Sequence, residues 1–177
     1  MFYDIGSRFG FFSKYAKQVG VQSENIHSFE ANRYRYYLLQ ENLVDEEQIV
    51  HSRVDSSTGR RSVSIDRYTD RHKSPTVVKI DVEGAEYDVL QGLTATIENS
   101  SPKLYVETHP QLLAQFGHTD DDLLRLLERY EYDVQIQNHR ESEDRYSSEI
   151  DERPTEGTYL LRAEREGRMD SNDTAQI

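Results

Sequence analysis

The stretch from Val77 to Leu90, VVKIDVEGAEYDVL, carries an apolar run straight into a cluster of carboxylates and then resumes an apolar pattern at helical spacing. The same succession recurs along the chain. FYDIG leads into FFSKYAK, HSFE into ANRYRYYLLQENL, and KLYVETHP into a further helical stretch. Short apolar runs alternating with amphipathic segments read as strands and crossover helices. Parallel strands need such crossovers, and the crossovers are right-handed, so the expected fold is a doubly wound, mostly parallel α/β sheet covered on both faces.

The expected elements are a strand ending near Asp4 and Ile5, a helix over Phe11–Lys17, and a strand over Ile26–Phe29. A helix follows, with Tyr34, Tyr37, Leu38 and Leu43 on one face, and then a strand over Gln48–Val54 and a loop over Asp55–Gly59. TVVKID reads as a strand buried on both faces. Residues Ala85–Glu98 read as one helix with Val89, Leu90, Leu93 and Ile97 on its inner stripe. KLYVETHP is a strand stopped by Pro110, and Thr119 caps a helix whose first turn carries Asp120, Asp121 and Asp122. YDVQIQ and TYLLRAE have no convincing helix between them, so they are expected as an antiparallel edge at the C-terminal end of the sheet. Residues 1–163 then form one domain, the loop 139–156 is expected to be polar and mobile, and 164–177 is expected to be a disordered polar tail.

The chain has 177 residues and a net charge of -12, a balance that works against nucleic acid as a partner because phosphate recognition needs clustered Lys and Arg. The dispersed acids resemble a surface adapted to a high-salt cytoplasm, and an ordinary acidic mesophilic protein fits nearly as well. With no cysteine there is no disulfide, no thiolate nucleophile and no Cys-ligated metal. No apolar run is long enough for a bilayer and the first residues do not form a signal peptide, so a cytoplasmic protein with no membrane partner is expected.

Ligands in parallel sheets bind at the carboxyl ends of the strands, where Asp4, Glu30, Asp81, Glu107 and His109 are expected to fall. Around Asp4, the residues Gly6, Ser7 and Gly10 form a turn into a helix whose N-terminus offers free N–H groups. Glu30, about twenty residues beyond that turn, is positioned to accept the hydroxyls of a ribose. Both a nicotinamide dinucleotide and S-adenosylmethionine contain an adenosine that suits this pair. A dinucleotide needs G-x-G-x-x-G for its pyrophosphate, and here bulky Arg8 stands where the second glycine belongs. Asp4 would also repel phosphates, and it suits a cofactor bearing an ammonium and a sulfonium better.

At these blocks the chain resembles the FkbM-type S-adenosylmethionine-dependent methyltransferases: FYDIGSRFGFFSKYA, HSFEANRYRYYLLQENL, SIDRY, VVKIDVEGAEYDVLQGL and LYVETHP match in order and spacing. The resemblance implies the Rossmann-like class I methyltransferase fold. It implies that Asp4, Gly6, Ser7 and Gly10 form the loop at the methionine side, with Glu30 as the ribose clamp. Asp55 or Ser56 would touch adenine, and Asp81 would stand where the methyl group meets its acceptor. It further implies O-methylation of a hydroxyl on a sugar, glycan or small natural product. Similar enzymes carry residues upstream of the first strand, so truncation before Met1 is an expectation too.

Asp81 and Glu83 would share a face if the strand continued through them, and Glu83 and Glu107 are expected at the acceptor or just behind it. Glu86 is expected to serve its helix N-terminus. His109 is the favoured general base because an imidazole titrates near neutrality, with Asp81 competing for that role. Asp81, Glu83, Glu107 and His109 are of the types that ligate a divalent ion, yet nothing in their spacing demands one and no metal is assigned. A nicotinamide-dependent oxidoreductase and a catalytically silent, cofactor-binding relative acting as an interaction domain are the alternatives.

Overall fold

The computed structural model describes residues 1–43, 48–138, 146–148, 150–154 and 156–165. In chain order its strands are β1 Phe2–Ile5, β2 Ile26–Glu30, β3 Gln48–His51, β4 Arg53–Val54, β5 Ser62–Val63, β6 Val77–Ile80, β7 Lys103–Thr108, β8 Asp133–Asn138 and β9 Tyr159–Glu164. The α-helices are α1 Phe11–Gln18, α2 Arg33–Asn42, α3 Ile65–Tyr68, α4 Glu86–Gln91, α5 Thr94–Ser100, α6 Pro110–Leu113 and α7 Asp120–Arg129. The main sheet has seven strands in the order β3-β2-β1-β6-β7-β9-β8, and β4 and β5 pair separately. The β3-β2-β1-β6-β7 portion is parallel, and β9 runs antiparallel to both β7 and β8. This is the expected doubly wound sheet with its antiparallel edge.

Alternation along each strand divides the residues between two unlike faces. Tyr3, Ile5, Val78, Ile80, Leu104, Val106, Leu161 and Ala163 point to one side, where Ile65, Val89, Leu90, Leu93, Ile97, Leu123 and Leu127 from α3, α4, α5 and α7 complete the apolar core. A fully buried Leu of this kind stabilises the fold by about 1.5–3 kcal/mol. The other side is covered by α1 and α2 over β1, β2 and β3. Beyond them it opens into a cavity of about 510 Å³ lined by Phe2, Phe12, Tyr15, Tyr105 and Leu160 among others.

Several boundaries differ from the sequence expectation. In α2 the buried contact is made by Leu39 and, just past the helix, Leu43, while Tyr34 and Tyr37 lie exposed. The tyrosines face outward, where the Tyr37 hydroxyl accepts from Arg33, and a pair of leucines four residues apart supplies the apolar stripe. The strand expected over Gln48–Val54 breaks at Ser52, where the chain leaves the main sheet and pairs with β5 instead. The single helix expected over Ala85–Glu98 is two helices, α4 and α5. At Gly92 between them a Cβ would lie 2.2 Å from the Asp55 carbonyl oxygen, so the helix must turn where the loop after β4 crosses it.

Glu164 belongs to β9 and not to a tail, and Arg165 pairs with Glu131 at 3.2 Å. The remainder of the expected tail, 166–177, and much of the loop 139–156 lie outside the described residues. No described helix is long and apolar enough to cross a membrane.

Candidate active site

Between β1 and β6 the strand order reverses, since β1 is followed on one side by β2 and β3 and on the other by β6 and β7. Crossovers diverge to opposite faces at such a point and leave a crevice beyond the strand ends. Here the crevice is a cavity of about 260 Å³ lined by Gly6 and Arg8 after β1, Glu30 and Asn32 at β2, Ser52 and Arg53 after β3, and Asp81 and Glu83 after β6.

Glu30 is 4% exposed and rigidly held. Its Oε2 accepts the Arg8 N–H at 2.9 Å and its Oε1 the Asn32 N–H at 2.7 Å, which leaves further lone pairs on both oxygens for a ligand. Gly6, at φ +79°, packs against the end of β6 so tightly that a Cβ would lie 1.9 Å from the Asp81 carbonyl oxygen. This contact brings the glycine turn and Asp81 to the same wall. Arg8 adopts φ +49° and reaches across to Glu83, guanidinium to Oε1 at 3.0 Å.

Other candidates stand elsewhere. Asp4 is fully buried and does not line the cavity: its Oδ2 accepts from the Ser13 hydroxyl at 2.8 Å and its Oδ1 faces the Lys79 ammonium at 3.4 Å. Alternation turns Asp4 to the α1 side of the sheet, whereas the cavity begins at Ile5 and Gly6. Asp4 is thus a buried charge beneath the cavity floor. Ser7 is buried, with Oγ donating to the Asp4 carbonyl at 2.6 Å. Gly10 precedes α1 at φ +81° and meets α2, where a Cβ would lie 2.9 Å from Leu39 Cδ1, so it serves helix packing.

Asp55 is likewise held by local partners. Its Oδ1 takes the Ser57 N–H at 2.7 Å and its Oδ2 the Arg53 Nε at 2.6 Å. Burial works to raise its pKa, but the Ser57 hydrogen bonds and then Arg53 outweigh it and hold the carboxyl below the usual range. Because β3 ends at His51, the residues that face the cavity after the third strand are Ser52, Arg53 and Val54, and neither Asp55 nor Ser56 lines it.

Asp81 and Glu83 do not share a strand face. The strand ends at Ile80, Glu83 turns at φ +53°, and only Asp81 stays near the strand axis. Lys79 is 8% exposed, and its ammonium lies 3.5 Å from Asp81 Oδ2 as well as 3.4 Å from Asp4, so one buried cation joins the ends of β1 and β6. Sequence reasoning passed over it within an apolar run. Its spacing of two from Asp81 was the available signal.

Behind Asp81 stands a second group. His109, at the end of β7, is 9% exposed, and its Nδ1 lies 2.7 Å from Oε1 of Glu86, a carboxylate with no solvent exposure. That same Oε1 accepts the Gly84 N–H at 2.9 Å. Glu86 thus does more than complement a helix terminus: it fixes the imidazole ring, a link that no local spacing reveals because the partners are 23 residues apart. Burial works to lower the His109 pKa, but the Glu86 hydrogen bond and the charges of Glu86, Glu107 and Asp81 outweigh it and leave it above the ordinary value. Ligand atoms of Asp81, Glu107 and His109 all lie within 4.8 Å of one another.

The family model of the methyltransferase FkbM domain matches residues 46–134. Among solved structures, methyltransferase FkbM from Methylobacillus flagellatus superposes with a TM-score of 0.63 at 19% identity over 91% of this chain. The chain spans 42% of the length of that structure. Precorrin-6y C5,15-methyltransferase from Geobacter metallireducens aligns with a TM-score of 0.58 at 12% identity, covering 93% of this chain and 79% of that one. M. jannaschii TYW2 in complex with AdoMet aligns with a TM-score of 0.53 at 12% identity, covering 93% and 68%. At these identities the structural likeness speaks to the fold. No curated protein matches the sequence.

Proposed function

The chain belongs to the methyltransferase FkbM domain family, and on that premise we propose that it transfers a methyl group from S-adenosylmethionine to a hydroxyl of a sugar, glycan or other small acceptor. The observation that carries this reading is the crevice at the strand-order reversal, with the Glu30 carboxylate on one wall and Asp81 beside the glycine turn on another. An adenosine fits such a pair, because Glu30 keeps acceptor lone pairs for ribose hydroxyls after taking two backbone amides. Ser52, Arg53 and Val54 border the side where adenine would rest. At the cavity Arg8 is engaged by Glu83 and Arg53 by Asp55, so neither of these two pairs with Glu30, while Asp81 shares the Lys79 ammonium with Asp4.

When bound, S-adenosylmethionine supplies an electrophilic methyl carbon: the acceptor oxygen forms the new C–O bond as the C–S bond breaks, and the bonding electrons remain on sulfur. The protein's part is alignment, exclusion of water and removal of the hydroxyl proton. Asp81 and His109 are the two groups suited to take that proton, with Glu86 as the positioning residue that directs His109 Nε2 away from the core. The net charge of -12 favours an uncharged or cationic acceptor over nucleic acid.

The test is calorimetric titration of the purified chain with S-adenosylmethionine and, separately, with NADP. Saturable binding of the first only is expected, and Glu30→Gln should weaken it about tenfold, roughly the 1.4 kcal/mol of a charge-assisted hydrogen bond. Folded protein that takes up no S-adenosylmethionine would overturn the reading.

A further inference from the structure

We infer that Asp81, Glu107 and His109 form a binding site for a divalent cation at the border of the cavity, a departure from the sequence expectation that assigned no metal. The three residues come from the ends of the neighbouring strands β6 and β7, and one ligand atom from each lies within 4.8 Å of the others. Across a six-coordinate ion with bonds of about 2.1 to 2.4 Å, adjacent ligands stand about 3.0 to 3.4 Å apart and opposite ones about 4.2 to 4.8 Å, so the trio closes on one by side-chain shifts on the order of 1 Å.

A second observation, independent of the acids, points the same way. His109 is nine-tenths buried, and its Nδ1 is taken by Glu86 at 2.7 Å, so the ring is held and Nε2 is the nitrogen turned toward the acids. That Nε2 makes no hydrogen bond among the described residues, and the nearest carboxylate oxygen, Glu107 Oε1, stands off at 3.9 Å. A carboxylate on one imidazole nitrogen with the other left open is the arrangement that orients histidine toward a metal. Among the described residues Glu86 Oε2 has no hydrogen-bond partner.

The charge count supports a cation as well. Asp4, Asp81, Glu86 and Glu107 form a connected group with His109, and besides that imidazole the Lys79 ammonium faces Asp4 and Asp81. A dipositive ion offsets carboxylates that Lys79 alone does not. Mixed carboxylate and imidazole ligands suit Mn²⁺ or Mg²⁺ more than a soft metal. Because Asp81 also lines the cavity, an ion held here would stand at its border, and with Asp81 and His109 engaged as ligands it would replace them in activating an acceptor hydroxyl, whose proton would pass to solvent. That last role rests on the methyltransferase reading; the cation site itself does not.

The experiment is titration of the metal-stripped full chain with Mn²⁺, with free Mn²⁺ followed by electron paramagnetic resonance and S-adenosylmethionine binding measured in parallel. One saturable Mn²⁺ per chain is expected, weakened at least tenfold in His109→Ala and in Glu107→Gln, while S-adenosylmethionine binding through Glu30 persists in both. Glu107 is partly exposed, so Glu107→Gln decides the matter if His109→Ala fails to fold. The proposal is overturned if the folded protein shows no saturable Mn²⁺ binding, or if Glu107→Gln leaves that binding unchanged, which would put the ion elsewhere on the acidic surface. Loss of S-adenosylmethionine binding with Mn²⁺ binding intact would count against the methyltransferase reading alone.

Discussion

His27 shows how a single side chain can set the acid limit of the fold. It is 3% exposed on β2, stacked on Tyr3 with ring centroids 4.8 Å apart and bonded through Nδ1 to the Tyr68 hydroxyl at 2.9 Å. Burial, and then the nearby His72, push its pKa down to about 4. The unfolded chain therefore binds a proton that the folded one refuses, and stability that is complete above about pH 6.5 drains away as the pH falls toward 4. The loss is on the order of 3 kcal/mol, since one pKa unit is worth about 1.4 kcal/mol. Urea midpoints at pH 7, 5.5 and 4.5 should fall steeply in the wild type and less steeply in His27→Gln. Parallel losses in the two proteins would remove His27 as the cause. At this scale the sequence announced Glu30 and Asp81, because a carboxylate at a strand end is visible one residue at a time. It did not announce the Glu86–His109 pair or the reach of Lys79 to Asp4, which exist only once the sheet has brought distant segments together.

The elements themselves were legible wherever periodicity is local, as in β1, β2, β6, β7 and the Thr119-capped helix α7. Errors arose where another segment crosses: the break at Ser52 follows from pairing with β5, and the α4–α5 break follows from the loop after β4 pressing on Gly92. Gly92→Ala separates the two influences cleanly. Helix propensity alone predicts a gain of up to about 1 kcal/mol. The approach of the Asp55 carbonyl to within 2.2 Å of the new methyl predicts a loss of about 1–3 kcal/mol, because the obstacle is backbone and cannot rotate aside. A lowered melting temperature is expected; a raised one would mean that the loop yields and the contact is slack.

For the whole molecule, a net charge of -12 on 177 residues sets the carboxylates against one another at a range that salt can shorten. Raising NaCl from 20 mM to 0.5 M should lift the melting temperature by roughly 2–4 °C, a gain of about 1 kcal/mol for a chain of this size. A flat response in a scanning calorimeter would show that local pairs already neutralise the surface. Strand order has a different consequence, one that concerns time. β9, the last strand among the described residues, pairs with β7 on one side and β8 on the other. A growing polypeptide therefore carries β8 without a neighbouring strand until β9 has been synthesised and can slide into the gap. Stalled or shortened translation products should expose two bare strand margins and be the species that clump or are taken up by chaperones.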